Sequence, residues 1–375
     1  MNSAPLDWPL IFAALFPWAV VTVAALITPR MTRPDIFFAI TVKPLFRATP
    51  ESGEIMRGYD RIVVIFAALA LLPLLCFKFS RSLDLPGIFG PIAIGLVGYF
   101  CAFQLARRRT MPYHAESTAQ REAVVAPRQA SLPGGALAQA GPFLVLAAAA
   151  LCLWLNWDRI PATIAIHWGA RGLPNGWASK SVLSVFGGLF IGILVCLLLG
   201  SLCWAIVHGV RRINSSGSAA VREARFVRAI SFVLVGAEYW AALLVGLLAL
   251  AALRQDQHRP LDMFGAIIVA ETLFVGSILY LCYRTGQGGS RLRTASDTAK
   301  PNPDDEPVGG RTPDECWKLG LFYFNSDDPA LFVEKRFGVG WTLNFANPRC
   351  WLVIGAIVLF IGTTVALSLL MNHGG

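Results

Sequence analysis

Residues 183–207 read LSVFGGLFIGILVCLLLGSLCWAIV, an apolar run without a single charged side chain. A helix needs about 20 such residues to cross the hydrocarbon core of a bilayer. The run therefore predicts a transmembrane helix. Several further runs of this kind would identify the chain as an integral membrane protein.

Comparable runs recur along the chain. Eight segments qualify as candidate spans: Trp8–Thr28, Arg61–Phe79, Leu85–Ala106, Gly141–Trp157, Leu183–Val207, Ala229–Leu253, Met263–Tyr283 and Cys350–Met371. The composition agrees, since 55% of the residues are hydrophobic and only 15% are charged, against about 25% charged in soluble proteins. We therefore predict an all-α integral membrane protein with about eight transmembrane helices, and the lipid bilayer is its first partner.

The basic residues predict the orientation of these helices. The net charge is +9, from 32 Lys and Arg against 23 Asp and Glu, and 25 of the 32 basic residues lie in alternate connections when Arg61, at the start of the second span, is counted with the connection before it. Cytoplasmic loops are enriched in Lys and Arg, so both termini are expected outside the cytoplasm (N-out, C-out). The same bias explains the basic balance without a nucleic-acid partner. The loops expected in the cytoplasm are 29–60, 107–140, 208–228 and 284–349.

The spans and the composition of the connections divide the chain into six regions. These are a three-span region 1–140 with cytoplasmic loops 29–60 and 107–140, a two-span unit 141–207 with outer loop 156–181, a two-span unit 208–283, a disordered linker 284–316 rich in Gly, Ser, Pro and Asp, a cytoplasmic aromatic-rich segment 317–349, and a last span with its tail at 350–375.

The outer loop has the pattern of a small ordered element. Thr163–Trp168 alternates apolar and polar residues, which predicts a short strand. Pro174-Asn175-Gly176 is typical of a turn, because Pro fixes φ and Gly permits positive φ. His167 has no Cys, Asp or Glu at ligand spacing, so no metal site is expected.

The loop also resembles a known domain. Asp158-Arg159-Ile160-Pro161, His167, Gly172, Pro174, Gly176-Trp177 and Ser179-Lys180 are similar to a domain of unknown function in bacterial membrane proteins, including the immunity protein against the sporulation-delaying toxin. Gly169 and Asn175 depart from its usual Asn and Asp, which weakens the case for shared polar ligand contacts. The resemblance implies an extracytoplasmic ligand, such as a peptide, at Asp158, Arg159, Pro161, His167, Trp177 and Lys180.

The segment Trp317–Pro348 holds eight aromatic residues among its 32. Asp328-Pro329 predicts a helix start, with Asp as the cap and Pro in the first turn. Leu331, Phe332, Lys335 and Arg336 would then form a short basic amphipathic helix that ends at Gly338-Val339-Gly340. A helix of this kind beside a span is expected to lie in the membrane interface.

This segment resembles a second domain of unknown function, which is attached to multi-span proteins of bacteria. The matching residues include Trp317, Gly320, Phe322–Asn325, Asp327–Pro329, Lys335-Arg336, Gly340–Thr342 and Asn344-Phe345. A looser likeness covers 27–61. The resemblance implies a bacterial cytoplasmic membrane and a cytoplasmic protein partner, with contacts from Trp317, Tyr323, Asn325, Asp328, Arg336, Trp341 and Asn344.

Two carboxylates lie near the middle of predicted spans. Glu238 is in the sixth span and Glu271 in the seventh. Intramembrane carboxylates are costly and usually face the bundle interior. Close together, the two would share a proton; alternatively each is a hydrogen-bonded contact between helices.

Sequence signatures of enzymes are absent: there is no HExxH, GxSxG, Walker loop or GxGxxG. We therefore expect no catalytic residues and no cofactor. Three functions stay open. The first is a sensor or immunity-type protein that binds an outer ligand and a cytoplasmic partner, and the alternative to it is a secondary transporter or proton-coupled carrier using Glu238 and Glu271. The third is a structural or assembly factor without a ligand.

Overall fold

Eight long α-helices run through the described part of the chain. The computed structural model describes residues 8–72, 84–116, 132–169, 172–209, 217–258, 263–292 and 312–373. The helices are α1 Trp8–Met31, α2 Pro50–Leu69, α3 Asp84–Thr110, α4 Gly135–Leu155, α5 Val182–Gly209, α6 Gly217–Leu250, α7 Phe264–Thr285 and α8 Pro348–His373.

Four short antiparallel hairpins lie in the connections between the helices. They are β1 Ile36–Phe37 with β2 Ile40–Thr41, β3 Thr163–Trp168 with β4 Pro174–Ser179, β5 Trp317–Lys318 with β6 Phe322–Tyr323, and β7 Phe332–Glu334 with β8 Trp341–Leu343. The predicted strand at Thr163–Trp168 is confirmed with its bounds.

Seven helices of the described residues are long and apolar enough to cross a membrane. Their apolar stretches are Ala14–Met31, Phe89–Tyr113, Gly135–Leu155, Val182–His208, Val221–Leu253, Phe264–Gly289 and Pro348–Met371. They confirm a mostly helical, multi-span membrane protein and correspond to every predicted span except the second. The second, Arg61–Phe79, begins within α2, and from residue 73 onward it lies outside the described residues.

The chain divides into two compact units. The first contains residues 1–125, 211–226 and 276–347, and the second contains 126–210, 227–275 and 348–375. Residues 317–347 of the aromatic-rich segment belong to the same unit as α1, α2 and α3.

The first unit is built on packing between α1, α2 and α3. Gly98 of α3 permits the close approach, because a methyl group added there would lie 2.1 Å from Cβ of Phe66 on α2. The hydroxyl of Tyr59 donates to the carbonyl of Ala25 at 2.8 Å, so a buried polar group also joins α2 to α1.

The second unit uses small residues for helix packing. Gly192 of α5 faces Leu146 of α4 and Val245 of α6, and a methyl group added to it would lie 2.9 Å from the valine. Small residues allow helix backbones to approach in lipid. On α8, Trp351, Leu352 and Leu359 are largely exposed, as expected for side chains that face lipid.

Three local predictions need correction. No helix follows Asp328-Pro329; Phe332–Glu334 forms β7, which pairs with β8 through a turn that contains Gly338 and Gly340 at positive φ. The predicted turn at Pro174-Asn175-Gly176 is part of strand β4, and the chain reverses earlier, where the N–H of Gly169 donates to the carbonyl of Leu173.

The predicted linker 284–316 is also ordered at both of its ends. Residues 284–285 complete α7, Gln287–Gly289 form a 3-10 turn, and Asp314–Cys316 form another. Residues 293–311 lie outside the described residues.

Candidate functional sites

The β3–β4 hairpin of the second unit forms one wall of a cleft. The facing wall is the connection after α6, because Oε1 of Gln257 accepts a hydrogen bond from the backbone N–H of Ala165 at 3.2 Å. The amide nitrogen of buried Gln257 donates in turn to the carbonyls of Ala251 and Arg254. One glutamine side chain therefore holds the connection against strand β3.

The cleft has a volume of about 570 Å³. The rings of Trp177 and His258 pack together at its side, with their centroids 4.5 Å apart. The lining residues are Pro161, Thr163, Trp177, Gln255, Asp256, Gln257 and His258. The cleft thus combines an aromatic wall with a carboxylate, an imidazole and two amides, which suits a ligand with both apolar and polar groups.

Of the six residues predicted to contact an outer ligand, Pro161 and Trp177 line the cleft. The other four have neighbours elsewhere. Nδ1 of His167 lies 2.5 Å from Oδ1 of Asn175 across the hairpin, and the ammonium of Lys180 lies 5.0 Å from the ring centre of Trp157.

Asp158 and Arg159 form an exposed 3-10 turn, whose Arg159 carbonyl accepts a hydrogen bond from Gln255. Residues 255–258, which form the facing wall of the cleft, are not among the predicted site residues. The sequence feature that indicates them is the polar run Arg254–His258, which follows directly after an apolar helix.

The two intramembrane carboxylates differ in their surroundings. Glu238 is 1% exposed, and its Oε1 is buried without a hydrogen-bond partner in the described residues. It faces α5 at Gly200, where an added methyl group would lie 3.6 Å from Oε1. The two thiols that face this carboxylate donate to backbone carbonyls instead. The Cys196 thiol donates to the carbonyl of Glu238, and the Cys203 thiol donates to the carbonyl of Ser231.

Glu271, in contrast, has a partner. Its Oε2 accepts a hydrogen bond from the indole N–H of Trp240 at 2.5 Å. Glu238 and Trp240 are two positions apart on α6, which is about 200° around the helix. The side that carries Glu238 is therefore opposite to the side that reaches Glu271, and this geometry does not favour a shared proton.

In the first unit, residues 312–347 form a module that packs on the β1–β2 hairpin. Arg336 is the main link: it is 2% exposed and donates to the Asp314 carboxylate, to the Thr312 carbonyl and to the Ala39 carbonyl at the tip of the hairpin. Burial lowers the pKa of Arg336, and the Asp314 carboxylate opposes that effect.

Further hydrogen bonds and ion pairs near Arg336 join the module to the β1–β2 hairpin and to Arg33 just before it. Asp314 accepts from the backbone N–H of Thr41 at 3.1 Å and from its hydroxyl at 2.6 Å. Arg33 forms ion pairs with Asp35 at 2.7 Å and with Glu334 at 3.4 Å. Burial opposes the charge of Arg33, but the two carboxylates more than offset it and raise its pKa.

An aromatic cluster seals the same contact. Phe38, at the tip of the β1–β2 hairpin, is fully buried and stacks on Phe337 of the module with ring centroids 5.8 Å apart. Phe337 also packs on Phe103 of α3 at 4.4 Å. Phe38 and Ala39 adopt positive φ values of 44° and 63°, which cost roughly 1–2 kcal/mol per residue. This packing holds the hairpin in its tight turn.

The residues predicted to contact a cytoplasmic partner are largely internal to the module. Buried members are Trp317, Tyr323, Asp328, Arg336 and Asn344, while Asn325 and Trp341 are half-buried. The Tyr323 hydroxyl donates to Asp328 at 3.0 Å, and the Asn344 amide donates to the carbonyls of Asn325 and Asp328, both at 2.8 Å. The Asp328 carboxylate therefore accepts hydrogen bonds, as expected of a capping residue, but it does so in a turn between strands and not at the start of a helix.

The sequence analysis missed Asp314, Arg33 and Thr41. They are separated from their partners in the other segment by hundreds of residues, for example by 273 between Thr41 and Asp314. No local pattern signals such pairs.

Comparison with known families finds two domains of unknown function in the chain, one in each of the two segments that resemble such domains. Residues 143–193, from α4 through the β3–β4 hairpin to α5, match the model of a domain of unknown function, DUF1648. Residues 326–351 match the model of a family of unknown function, DUF5808. No curated protein and no solved structure matches the chain. The chain is thus similar, over these two short segments, to two families without an assigned activity, and it carries both within a multi-span membrane protein.

Proposed function

We propose that this chain is a non-enzymatic receptor of the sensor or immunity type in a bacterial cytoplasmic membrane. In this proposal it binds an extracytoplasmic peptide in the cleft beside the β3–β4 hairpin. The observation that carries the proposal is the cleft itself, with Trp177 packed on His258. Aromatic side chains are frequent anchors in recognition sites, and a two-stranded hairpin can accept an extended peptide along its edge.

The orientation is proposed from loop charge, and the number of crossings that it requires receives support from the first unit. There, the carbonyl of Arg30 at the end of α1 accepts from Arg291, six residues after the end of α7. Both ends must then lie on one side of the membrane, so an even number of crossings separates them. Five of the intervening helices qualify as spans. A sixth crossing, beginning in α2 as the sequence predicts, completes the even number.

With both termini outside, the module would face the cytoplasm. A protein partner would then meet its exposed side chains rather than the buried residues named from the sequence. Exposed positions include Lys318 and Phe324.

The test places a photoreactive amino acid at Thr163, which lines the cleft and is exposed. After irradiation of intact cells, mass spectrometry should identify a secreted peptide attached to the protein. Trp177→Ala should abolish that adduct, because it removes the aromatic wall. His167→Ala is the matched control and should leave it intact, because His167 does not line the cleft. Adducts only to lipid or to the protein itself would count against a receptor.

The second candidate is a proton-coupled carrier, favoured by an oxygen of buried Glu238 that has no hydrogen-bond partner among the described residues. Because α6 directs Glu238 and Trp240 to opposite sides, this candidate rests on Glu238 alone and not on a carboxylate pair. Its test is proton flux into vesicles that contain the purified protein. Glu238→Gln should stop the flux and Glu271→Gln should not; equal flux in all three proteins would dismiss the carrier.

A further inference from the structure

The β5–β6 hairpin of the module meets α3 well before the end of that helix. The side-chain amide of Gln104 donates to the carbonyl of Leu319, at the hairpin tip, at 3.0 Å. Gln104 lies six positions before Thr110, the last residue of α3, which is about 9 Å along the axis. Because α3 is long and apolar enough to cross a membrane and carries Arg107, Arg108 and Arg109 in its last turn, the tip lies beside the basic end of a span, where headgroups are expected.

The side chains at this tip are apolar and uncovered. Leu319 is 53% exposed and Phe322 is 48% exposed, and Leu319 has a positive φ of 54°. Glycine would adopt that backbone conformation with less strain, but it would present no apolar surface. Large apolar groups exposed beside a span suit contact with lipid.

A cavity of about 190 Å³ opens beside the tip. Its lining residues are Trp317, Gly320, Leu321, Lys335, Arg336 and Phe337. Arg107 of α3 adjoins it, because a methyl group added to Gly320 would lie 2.8 Å from Nε of Arg107. That Nε is buried and has no hydrogen-bond acceptor in the described residues.

The charges around the cavity are unbalanced. Arg336 is paired with Asp314. Lys335 has no carboxylate within ion-pair distance in the part of the chain that the structure describes, and burial lowers its pKa. Two basic groups therefore lie beside one small cavity with hydrogen-bond donors to spare, and a buried cation is stable only when an anion or a hydrogen-bond acceptor accompanies it.

We propose that this cavity binds the phosphate of an anionic phospholipid. Lys335 and Arg107 contact the phosphate oxygens, while the acyl chains lie against Leu319 and Phe322. A lipid fits better than a soluble anion because the cavity adjoins apolar side chains at the depth of the membrane surface. Trp317, which is buried in the module, closes one wall.

The test uses the purified full-length protein in a neutral detergent and native mass spectrometry with added phosphatidylglycerol. Lys335→Gln should weaken phosphatidylglycerol binding roughly tenfold, since a hydrogen bond to a charged group is lost, and Arg107→Gln should act in the same direction. Lys318→Gln is the matched control: Lys318 is exposed on the same hairpin and does not line the cavity. Phosphatidylcholine, whose phosphate is neutralised by its own choline cation, should bind more weakly than phosphatidylglycerol to the wild-type protein and should distinguish the four proteins less.

A charge-preserving variant separates binding from folding. Lys335→Arg should retain phosphatidylglycerol, which would show that the loss in Lys335→Gln comes from the charge. Unchanged phosphatidylglycerol affinity in the Lys335→Gln, Arg107→Gln double variant would overturn the proposal. It would equally be overturned if inorganic phosphate alone bound to the wild-type protein and phosphatidylglycerol did not.

Discussion

Arg336 in the module and Glu238 in the second unit are equally buried, at 2% and 1% exposure, but their surroundings are opposite. Arg336 donates to a carboxylate and to two backbone carbonyls. Glu238 has an oxygen without a partner in the described residues and faces a glycine and two thiols whose hydrogens go to carbonyls. A fully satisfied buried charge can hold two segments together. An unsatisfied one is a cost, and such groups in membrane helices usually serve a function.

The largest effect is expected when the partner of Arg336 is removed. Asp314→Asn should lower the free energy of unfolding by about 3 kcal/mol, because it leaves a buried guanidinium without its counter-charge. Denaturant unfolding in detergent measures this loss. Asp60→Asn is the control, since the Arg30–Asp60 pair has side chains 40% and 28% exposed and should change stability by less than about 1 kcal/mol. Equal losses would mean that Arg336 does not depend on Asp314.

An intermediate effect is expected where the module touches α3 and the β1–β2 hairpin. Gly320→Ala introduces a methyl group 2.8 Å from Nε of Arg107 and 3.0 Å from Cβ of Ala39, at a φ of +73°. Gly340→Ala also has a positive φ, +101°, but in the described residues its added methyl group would meet no atom within 4 Å beyond its chain neighbours. Both should lose about 1 kcal/mol to backbone strain, and Gly320→Ala should lose about 1 kcal/mol more through overpacking. The difference in thermal unfolding midpoint between the two variants measures the contact of Gly320 with Arg107 and Ala39. Identical midpoints would argue that the tips of the β5–β6 and β1–β2 hairpins do not touch.

The smallest effect is expected at Glu238. Glu238→Gln should change stability by less than about 1 kcal/mol, since no hydrogen bond to Oε1 is lost. Glu271→Gln should cost about 1 kcal/mol, because the amide accepts less strongly from Trp240. The same unfolding assay compares them. A loss of several kcal/mol in Glu238→Gln would show that this carboxylate is a structural group and would remove the contrast with Arg336.

The sequence predicts the helices well because lipid imposes one simple requirement. A segment such as 183–207 must be long, apolar and free of charge, and these properties are local. The strand at Thr163–Trp168 is also local, since its alternation needs no partner to be recognised. The helix predicted after Asp328 fails because the cap signal also suits a turn, and Gly338 and Gly340 favour a hairpin.

Contacts between distant segments could not be predicted in the same way. Nothing in the β1–β2 hairpin indicates that Ala39 will accept a hydrogen bond from Arg336. Likewise, nothing in the β3–β4 hairpin indicates that Gln257 will hold the second wall of the cleft. These contacts depend on how helices bring their connections together, which a single sequence does not display.

The bond between Arg336 and Ala39 has a consequence for biosynthesis, because 297 residues separate the two. At about 5–20 residues per second, a ribosome needs roughly 15–60 s to make the intervening chain. Throughout that interval Phe38 can pack on Tyr59 and Phe103 but lacks Phe337, which later completes its contacts. The nascent protein therefore carries a partly uncovered aromatic turn while most of its helices are inserted. A chaperone or the insertion machinery would be expected to shield that turn until the module arrives.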